Sequence, residues 1–259
     1  MSPAAQPAAA LTTLFPRGAL AAELHGDPFN AAAPPAQADA WAQDDAWALE
    51  QAQRLLSDAE WGSIAHCAAA RIRDFTAGRL CAHRALEALG IDGFSVLSAA
   101  DRRVLWPPGI SGSITHTKGY AAAVIGRLAE VGSLGLDCER IEEVSAPLWR
   151  EICTSVELEQ LARWTGPGRE RAAALCFVAK EAFYKAQYAL CAEPLGFDAV
   201  RIDVHEAAQA SGAFQVHALR PLRLQRQGEC AADPAPWTGR FRCHGGYLSA
   251  GIALRTRIE

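Results

Sequence analysis

Apolar positions fall into two kinds of stretch along this chain: short dense runs, and longer segments with helical spacing. A small apolar segment around Ala19–Leu24 predicts a first strand. The stretch "NAAAPPAQADA" (30–40) predicts a turn-rich connection whose paired prolines exclude helix. From Ser57 the spacing becomes helical through "SDAEWGSIAHCAAARIRDFTAGRLCAHRALEALG". Ser57 is a good N-cap, Glu60 completes a capping box, and Gly90 ends the pattern as a C-cap. Gly62 and Gly78 are the expected breaks, and Phe75, Leu80, Ala82, Leu86 and Leu89 the expected buried stripe.

The segment "RRVLWPPGISGSITHT" predicts a loop leading to a short strand. "YAAAVIG" and "GSLGLDCE" then predict two buried strands joined by a polar turn. "TSVELEQLARW" (154–164) predicts a short helix with Thr154 as N-cap and Glu157 at the capping-box position, and "RERAAALCFVAKEAFYKAQYAL" (169–190) a long one. Beyond "EPLGF", the runs "AVRIDV", "GAFQVHAL", "GRFRCH" and "GYLSAGIAL" predict strands of a mainly antiparallel sheet. "QRQGECAADPAPW" (225–237) reads as a mobile loop, and residues 1–13, rich in Ala and Pro, as a disordered tail. No repeat is visible at the level of residues.

Composition narrows the picture. The 259 residues allow one or two domains with a real core, and 50% hydrophobic with 21% charged residues is ordinary globular usage. A net charge of −4 argues against general attraction to nucleic acid or an anionic membrane, so any anion site must be a local cluster of Lys and Arg. The eight cysteines form no CxxC pair, the N-terminus lacks a signal peptide's basic and apolar regions, and no apolar run is long enough to span a bilayer. A cytoplasmic protein with reduced thiols is expected.

Candidate chemistry gathers in three places. On a strand, Asp137 and Glu139 in "GLDCERIEE" share a face while Cys138 points the other way, and two like charges so placed need a cation or a proton. In "AKEAFYKA", Glu181 and Lys185 share a helix face and Lys180 sits about 100° round, among Cys176, Phe177, Val178, Phe183 and Tyr184. "GSITHT" (112–117) offers the Thr115 hydroxyl and the His116 imidazole, and Arg71, Arg73, Arg79 and Arg84 are interleaved along the preceding helix. Each alone has an ordinary reading: a surface ion pair, a satisfied histidine, a solvated helix face. Together, three carboxylates with lysines and arginines suit Mg2+ and phosphoryl-group transfer, since oxygen-only donors hold that ion against a substrate's phosphates.

The spacing resembles the 4'-phosphopantetheinyl transferases of the surfactin-synthetase type. Their signature (I/V)G(I/V)D-x-E, then (W/F)-x-x-KE-x-x-x-K, is matched here by "LGLDCE" and "FVAKEAFYK". The branch typified by the enterobactin-synthase transferase component is matched further by "RIRDFTAGRLCAHRALEALG", by "WPPGISGSITH", by "LFP" at Leu14–Pro16, and by "LGF" at 195–197. Val104 stands where that branch has Pro, and Asp74 where it has Glu.

The resemblance implies an α+β fold with two similar α/β halves related by pseudo-twofold symmetry, residues 14–123 and 124–259. It implies Asp137, Glu139 and Glu181 as ligands of Mg2+, with Mn2+ as the alternative ion. Glu181 would also be the general base, Lys185 would contact the transferred phosphate, and Lys180 would be a further phosphate contact. Thr115 and His116 would touch the coenzyme A phosphates, with His116 counted in the catalytic set. Arg71 and Arg79 would take the nucleotide's 3'-phosphate, and Arg102 or Arg103 its adenine side. The implied reaction moves phosphopantetheine from coenzyme A to a serine of an apo-acyl or apo-peptidyl carrier protein. The implied enzyme is a monomer; a non-catalytic coenzyme A- or carrier-binding homologue and a Mg2+-dependent phosphohydrolase are the alternatives.

Overall fold

The computed structural model describes residues 6–29, 45–203, 209–222, 225–226, 229–230 and 237–254. The connection expected at 30–40 lies outside them. The chain divides into two compact units, Met1–Thr12 with Gly18–Arg127, and Thr13–Arg17 with Leu128–Glu259.

In the first unit, β1 (Leu20–His25) is followed by α1 (Asp45–Leu55), α2 (Asp58–Ile64) and α3 (Ala69–Ala88), then by β2 (Ile110–Thr117) and β3 (Tyr120–Arg127). The antiparallel sheet runs Gln6–Pro7, β1, β3, β2. Helix α3 crosses β1 and β3, burying Cys81 and Ala82 against Ala22, Leu24 and Ala123. The stripe is present, with Phe75, Ala82 and Leu86 buried and Leu80 and Leu89 half-buried.

Two expectations change here. The helical stretch breaks at residues 65–68, and both glycines lie inside helices. A Cβ on Gly78 would come within 2.8 Å of Ile114 Cγ2, so this glycine serves the close approach of α3 to β2. The tail is ordered from Gln6: Gln6 and Pro7 pair with Glu23 and Ala22 of β1, and the helical turn Ala9–Thr12 buries Leu11. Apolar side chains spaced to reach a core outweigh the Ala/Pro composition.

The second unit contains β4 (Ser133–Arg140), α4 (Ser155–Leu161), α5 (Pro167–Cys191), β5 (Val200–Asp203), β6 (Ser211–Ala218), β7 (Trp237–His244) and β8 (Tyr247–Leu254). Its sheet is antiparallel in the order β4, β8, β7, β6, β5, with α5 laid over β4 and β8. Phe183, Phe214, Phe241 and Leu175 fill its core. The two runs expected as buried strands joined by a polar turn become β3 and β4, which are joined through the helical turn Leu128–Val131 and belong to different sheets. Leu14 and Phe15 join this unit, where a Cβ on Gly251 would stand 2.5 Å from Phe15. Of the loop expected at 225–237, Gln225–Arg226 pairs with Glu229–Cys230, Trp237 opens β7, and the remainder lies outside the described residues.

The packing of α5 on β4 depends on one residue without a side chain. A Cβ on Gly135 would lie 1.9 Å from the Ala182 carbonyl oxygen, so the "LGLD" glycine lets the helix backbone rest on the strand. Ser133 Oγ, on the same strand face, donates to Ala186 O at 2.7 Å. This contact brings the odd-numbered residues of β4 under the helix. No helix among the described residues is long and apolar enough to cross a membrane.

Candidate active site

Strand alternation puts Asp137 and Glu139 on the face of β4 that Gly135 presents to α5. Asp137 is buried and Glu139 half-buried. Lys185 Nζ reaches down from α5, donating to Asp137 Oδ1 at 2.7 Å and to Leu136 O at 3.1 Å. Glu181, one turn earlier on the same helix face, is pushed above its usual carboxylate pKa by burial and by the Asp137 charge, with Lys185 opposing. Asp137 and Lys185 are thus in direct contact, and Glu181 lies near enough to feel the charge of both. Among the described residues no three His, Cys, Asp or Glu side chains are gathered closely enough to enclose a metal ion. The cation resting on Asp137 is the Lys185 ammonium.

Lys180 corrects the expectation of a phosphate contact. Its side chain is 1% exposed, and Nζ donates to Glu157 Oε2 at 2.7 Å, Phe197 O at 2.8 Å and Ile152 O at 2.9 Å. An ammonium has three hydrogens, and all three are committed to protein oxygens. Beside Lys180 and Glu181 opens a cleft of about 210 Å3, walled by Phe183 and Tyr184 of α5 and by Leu195, Gly196 and Phe197.

The basic residues lie in the first unit. Arg71 Nη1 is 3.4 Å from His116 Nε2, and His116 Nδ1 is 3.9 Å from Asp74. Thr115 alternates to the opposite face of β2, so it does not join this group. Arg79 is buried and largely engaged: it donates to Val96 O at 2.6 Å and Ser98 Oγ at 2.9 Å, and lies 4.0 Å over the Phe75 ring. Burial pulls its pKa down to about 10, Glu60 opposing and Arg71 adding to the fall. That mutual repulsion means two guanidinium groups stand close enough to favour an anion beside them. Arg102 and Arg103 follow in the loop between paired strands Leu97–Ser98 and Val104–Leu105. Arg102 holds a left-handed φ of 70°, and Arg103 pairs with Asp101 at 3.5 Å. Arg73 pairs with Asp45 and Arg84 with Glu87, outside the group.

Sequence reasoning missed the second duty of Glu60 and Glu157. Each completes its capping box and then receives a basic group from the long helix: His83 Nε2 on Glu60 at 2.8 Å, Lys180 on Glu157. The available signal was the spacing, since each acid lies 23 residues before its basic partner.

Comparison with known proteins agrees with this division. Residues 58–126 match the model of the 4'-phosphopantetheinyl transferase N-terminal domain, and residues 133–233 match that of the 4'-phosphopantetheinyl transferase superfamily. The 4'-phosphopantetheinyl transferase Npt of Nocardia iowensis is 31% identical over 201 residues, covering 75% of this chain and 87% of that protein. PptT of Mycobacterium tuberculosis is 35% identical over 54% of this chain and 61% of its own length. Enterobactin synthase component D of Salmonella typhi is 35% identical over 54% and 58%. With both family models falling in order along the chain, and a relative aligned over most of its length, the chain belongs to the 4'-phosphopantetheinyl transferase family.

Proposed function

We propose that this chain transfers the 4'-phosphopantetheine group of coenzyme A to a serine of an apo-carrier protein, releasing adenosine 3',5'-bisphosphate. The observation that carries the reading is the Asp137–Lys185 contact with Glu181 alongside it, in a member of this family. A buried carboxylate that draws an ammonium to 2.7 Å, next to a second carboxylate resisting ionisation, is a place that favours added positive charge. Asp137, Glu139 and Glu181 offer only carboxylate oxygens, which fit a hard divalent ion such as Mg2+. Such an ion withdraws negative charge from a bound diphosphate.

The chain's own residues supply the rest. The Glu181 carboxyl, raised by its surroundings, moves toward the range in which a carboxylate accepts a proton effectively near neutral pH. It takes the proton of the carrier's serine hydroxyl. The serine oxygen bonds to the phosphorus bearing pantetheine, and the bond from that phosphorus to the bridging oxygen breaks. Lys185 steadies the charge that grows on the departing phosphate. Arg71, Arg79 and His116 take the nucleotide's phosphate, while Arg102 or Arg103 serves its adenine side. No disulfide joins the cysteines among the described residues, which suits a reducing cytoplasm.

Incubation with coenzyme A, Mg2+ and a panel of apo-carrier proteins, read by intact-protein mass spectrometry, tests the reading. One phosphopantetheine is expected on the serine of at least one carrier. No gain in mass across a panel of siderophore, polyketide and fatty-acid carriers overturns it.

A further inference from the structure

Removing an ammonium and a carboxylate from water costs more than their attraction often returns, and a well-packed apolar pair usually does as well for stability. The Lys180–Glu157 pair is sealed, at 1% and 0% side-chain exposure. Its placement offers another reason for keeping it. Lys180 Nζ binds the last carbonyl of the helical turn Trp149–Ile152, the Glu157 carboxylate on α4, and the Phe197 carbonyl ahead of β5. Glu157 in turn accepts from Ile202 N of β5 at 2.7 Å and from Thr154 N at 2.6 Å. One charge pair therefore ties α4, α5, β5 and the segment Leu195–Phe197 together.

That segment is the wall facing α5 in the cleft beside Glu181. Lys180 precedes Glu181 in the helix, so a bond pulling Lys180 toward α4 also fixes the rotation at which Glu181 is presented. An apolar pair would fill the same volume without setting either direction, because it has no oriented bonds. We propose that Glu157, acting through Lys180, is a positioning residue: it sets the cleft wall and the direction of Glu181, and Lys180 carries out this task instead of binding phosphate. The proposal rests on the role given to Glu181 above.

The test compares E157Q, K180M and the double variant E157Q/K180M with the wild type. Measured are kcat and KM for coenzyme A with a responsive carrier, calorimetric affinity for coenzyme A, and folded fraction by circular dichroism at the assay temperature. Positioning predicts that E157Q lowers kcat about 10- to 100-fold per folded molecule, as a small misplacement does. KM and affinity for coenzyme A should then stay within about twofold, the pattern of an interaction used in the transition state. The double variant should lose no more than the worse single one, because both break the same link. If K180M fails to fold, E157Q and the double variant, which leaves no buried charge, still decide. A tenfold or greater loss of coenzyme A affinity in the double variant but not in E157Q restores the phosphate-contact role and overturns the proposal. So does wild-type kcat in folded E157Q. D137N and E181Q run in parallel keep the two readings apart: wild-type turnover in those variants refutes the site itself.

Discussion

The two units share a set of local features and differ in the side chains at matching places. In each, a Ser or Thr caps a short helix whose capping-box glutamate also accepts from a backbone N–H beyond that helix, Val96 just ahead of the strand Leu97–Ser98 for Glu60 and Ile202 of β5 for Glu157. In each, a long helix covers an antiparallel sheet whose hairpin closes on a tyrosine, Thr117 with Tyr120 and His244 with Tyr247. Those tyrosines pair with His25 of β1 and Arg140 of β4. Counting back from these pairs sets Ala22 against Asp137, Leu24 against Glu139 and Leu20 against Gly135. The first unit fills those places with apolar side chains on the face covered by its helix. The fold therefore has no need of acid there, which fits the binding role proposed above for the carboxylates of β4.

The largest test of the comparison concerns the buried acids. Lys180→Met leaves Glu157 charged and sealed, and should cost about 3–5 kcal/mol in urea unfolding of the metal-free protein. His83→Leu should cost only about 1–3 kcal/mol, because the His83 side chain is 23% exposed where that of Lys180 is 1%, so water can reach the place the imidazole leaves. Equal losses would mean that the two devices are not differentiated as their partners suggest.

Activity should divide the units more cleanly. Asp137→Ala and Glu181→Ala should each lower kcat roughly 10²–10³-fold, about 2.7–4 kcal/mol, the effect of deleting one electrostatic stabiliser. Leu24→Ala, at the place matching Glu139, should cost stability and leave turnover per folded molecule near wild type. Carrier-loading rates corrected for folded fraction check both. A kcat loss in Leu24→Ala like that of Asp137→Ala would remove the distinction.

What the sequence disclosed follows from how local each signal is. Ser57 with Glu60 and Thr154 with Glu157 announce their helices because a capping box is complete within four residues. Asp137 and Glu181 could be grouped by their chemistry and then by the motif resemblance, but not by period, since strand and helix periods give a face and not its neighbour. Lys180 was misread for the same reason: helical spacing showed it beside Glu181, but its three acceptors come from Ile152, Glu157 and Phe197, which no period connects. The parallel between units stayed hidden because it lives in pairing register, while at matching places the first unit has Ala22 and Leu24 where the second has Asp137 and Glu139.

Gly135→Ala probes the packing that makes the acidic face usable. Its Cβ would meet backbone, the Ala182 carbonyl, so α5 must lift from β4 and cannot relieve the clash by a rotamer change. Overpacking of this kind costs about 1–3 kcal/mol or more. Activity should fall beyond the stability loss, because lifting α5 separates Lys185 and Glu181 from Asp137. Thermal unfolding together with kcat tests this, and a stable variant at wild-type turnover would contradict the close approach. The matching position in the first unit, Leu20, already carries a side chain.

The smallest effect is a difference in sign between two carboxylates, one in each unit. Burial alone would raise Glu60, but the His83 bond and charge, with the N–H groups of Ser57 and Val96, hold it below the usual 4.5. The folded state then binds fewer protons than the unfolded one below that pH. Glu60's stabilisation is present above 4.5 and is lost as pH falls through its lower folded value. Glu181 is raised, chiefly by burial and next by Asp137, so the folded state holds its proton longer. Its contribution is complete below 4.5 and declines as pH rises through its folded value. Glu60→Gln should therefore lower the thermal midpoint at neutral pH and flatten the acid limb, whereas Glu181→Gln should raise the neutral midpoint of metal-free protein. Midpoints recorded from pH 3 to 8 decide it; shifts of the same sign at neutral pH would mean that the second unit spends no stability on holding its acid ready.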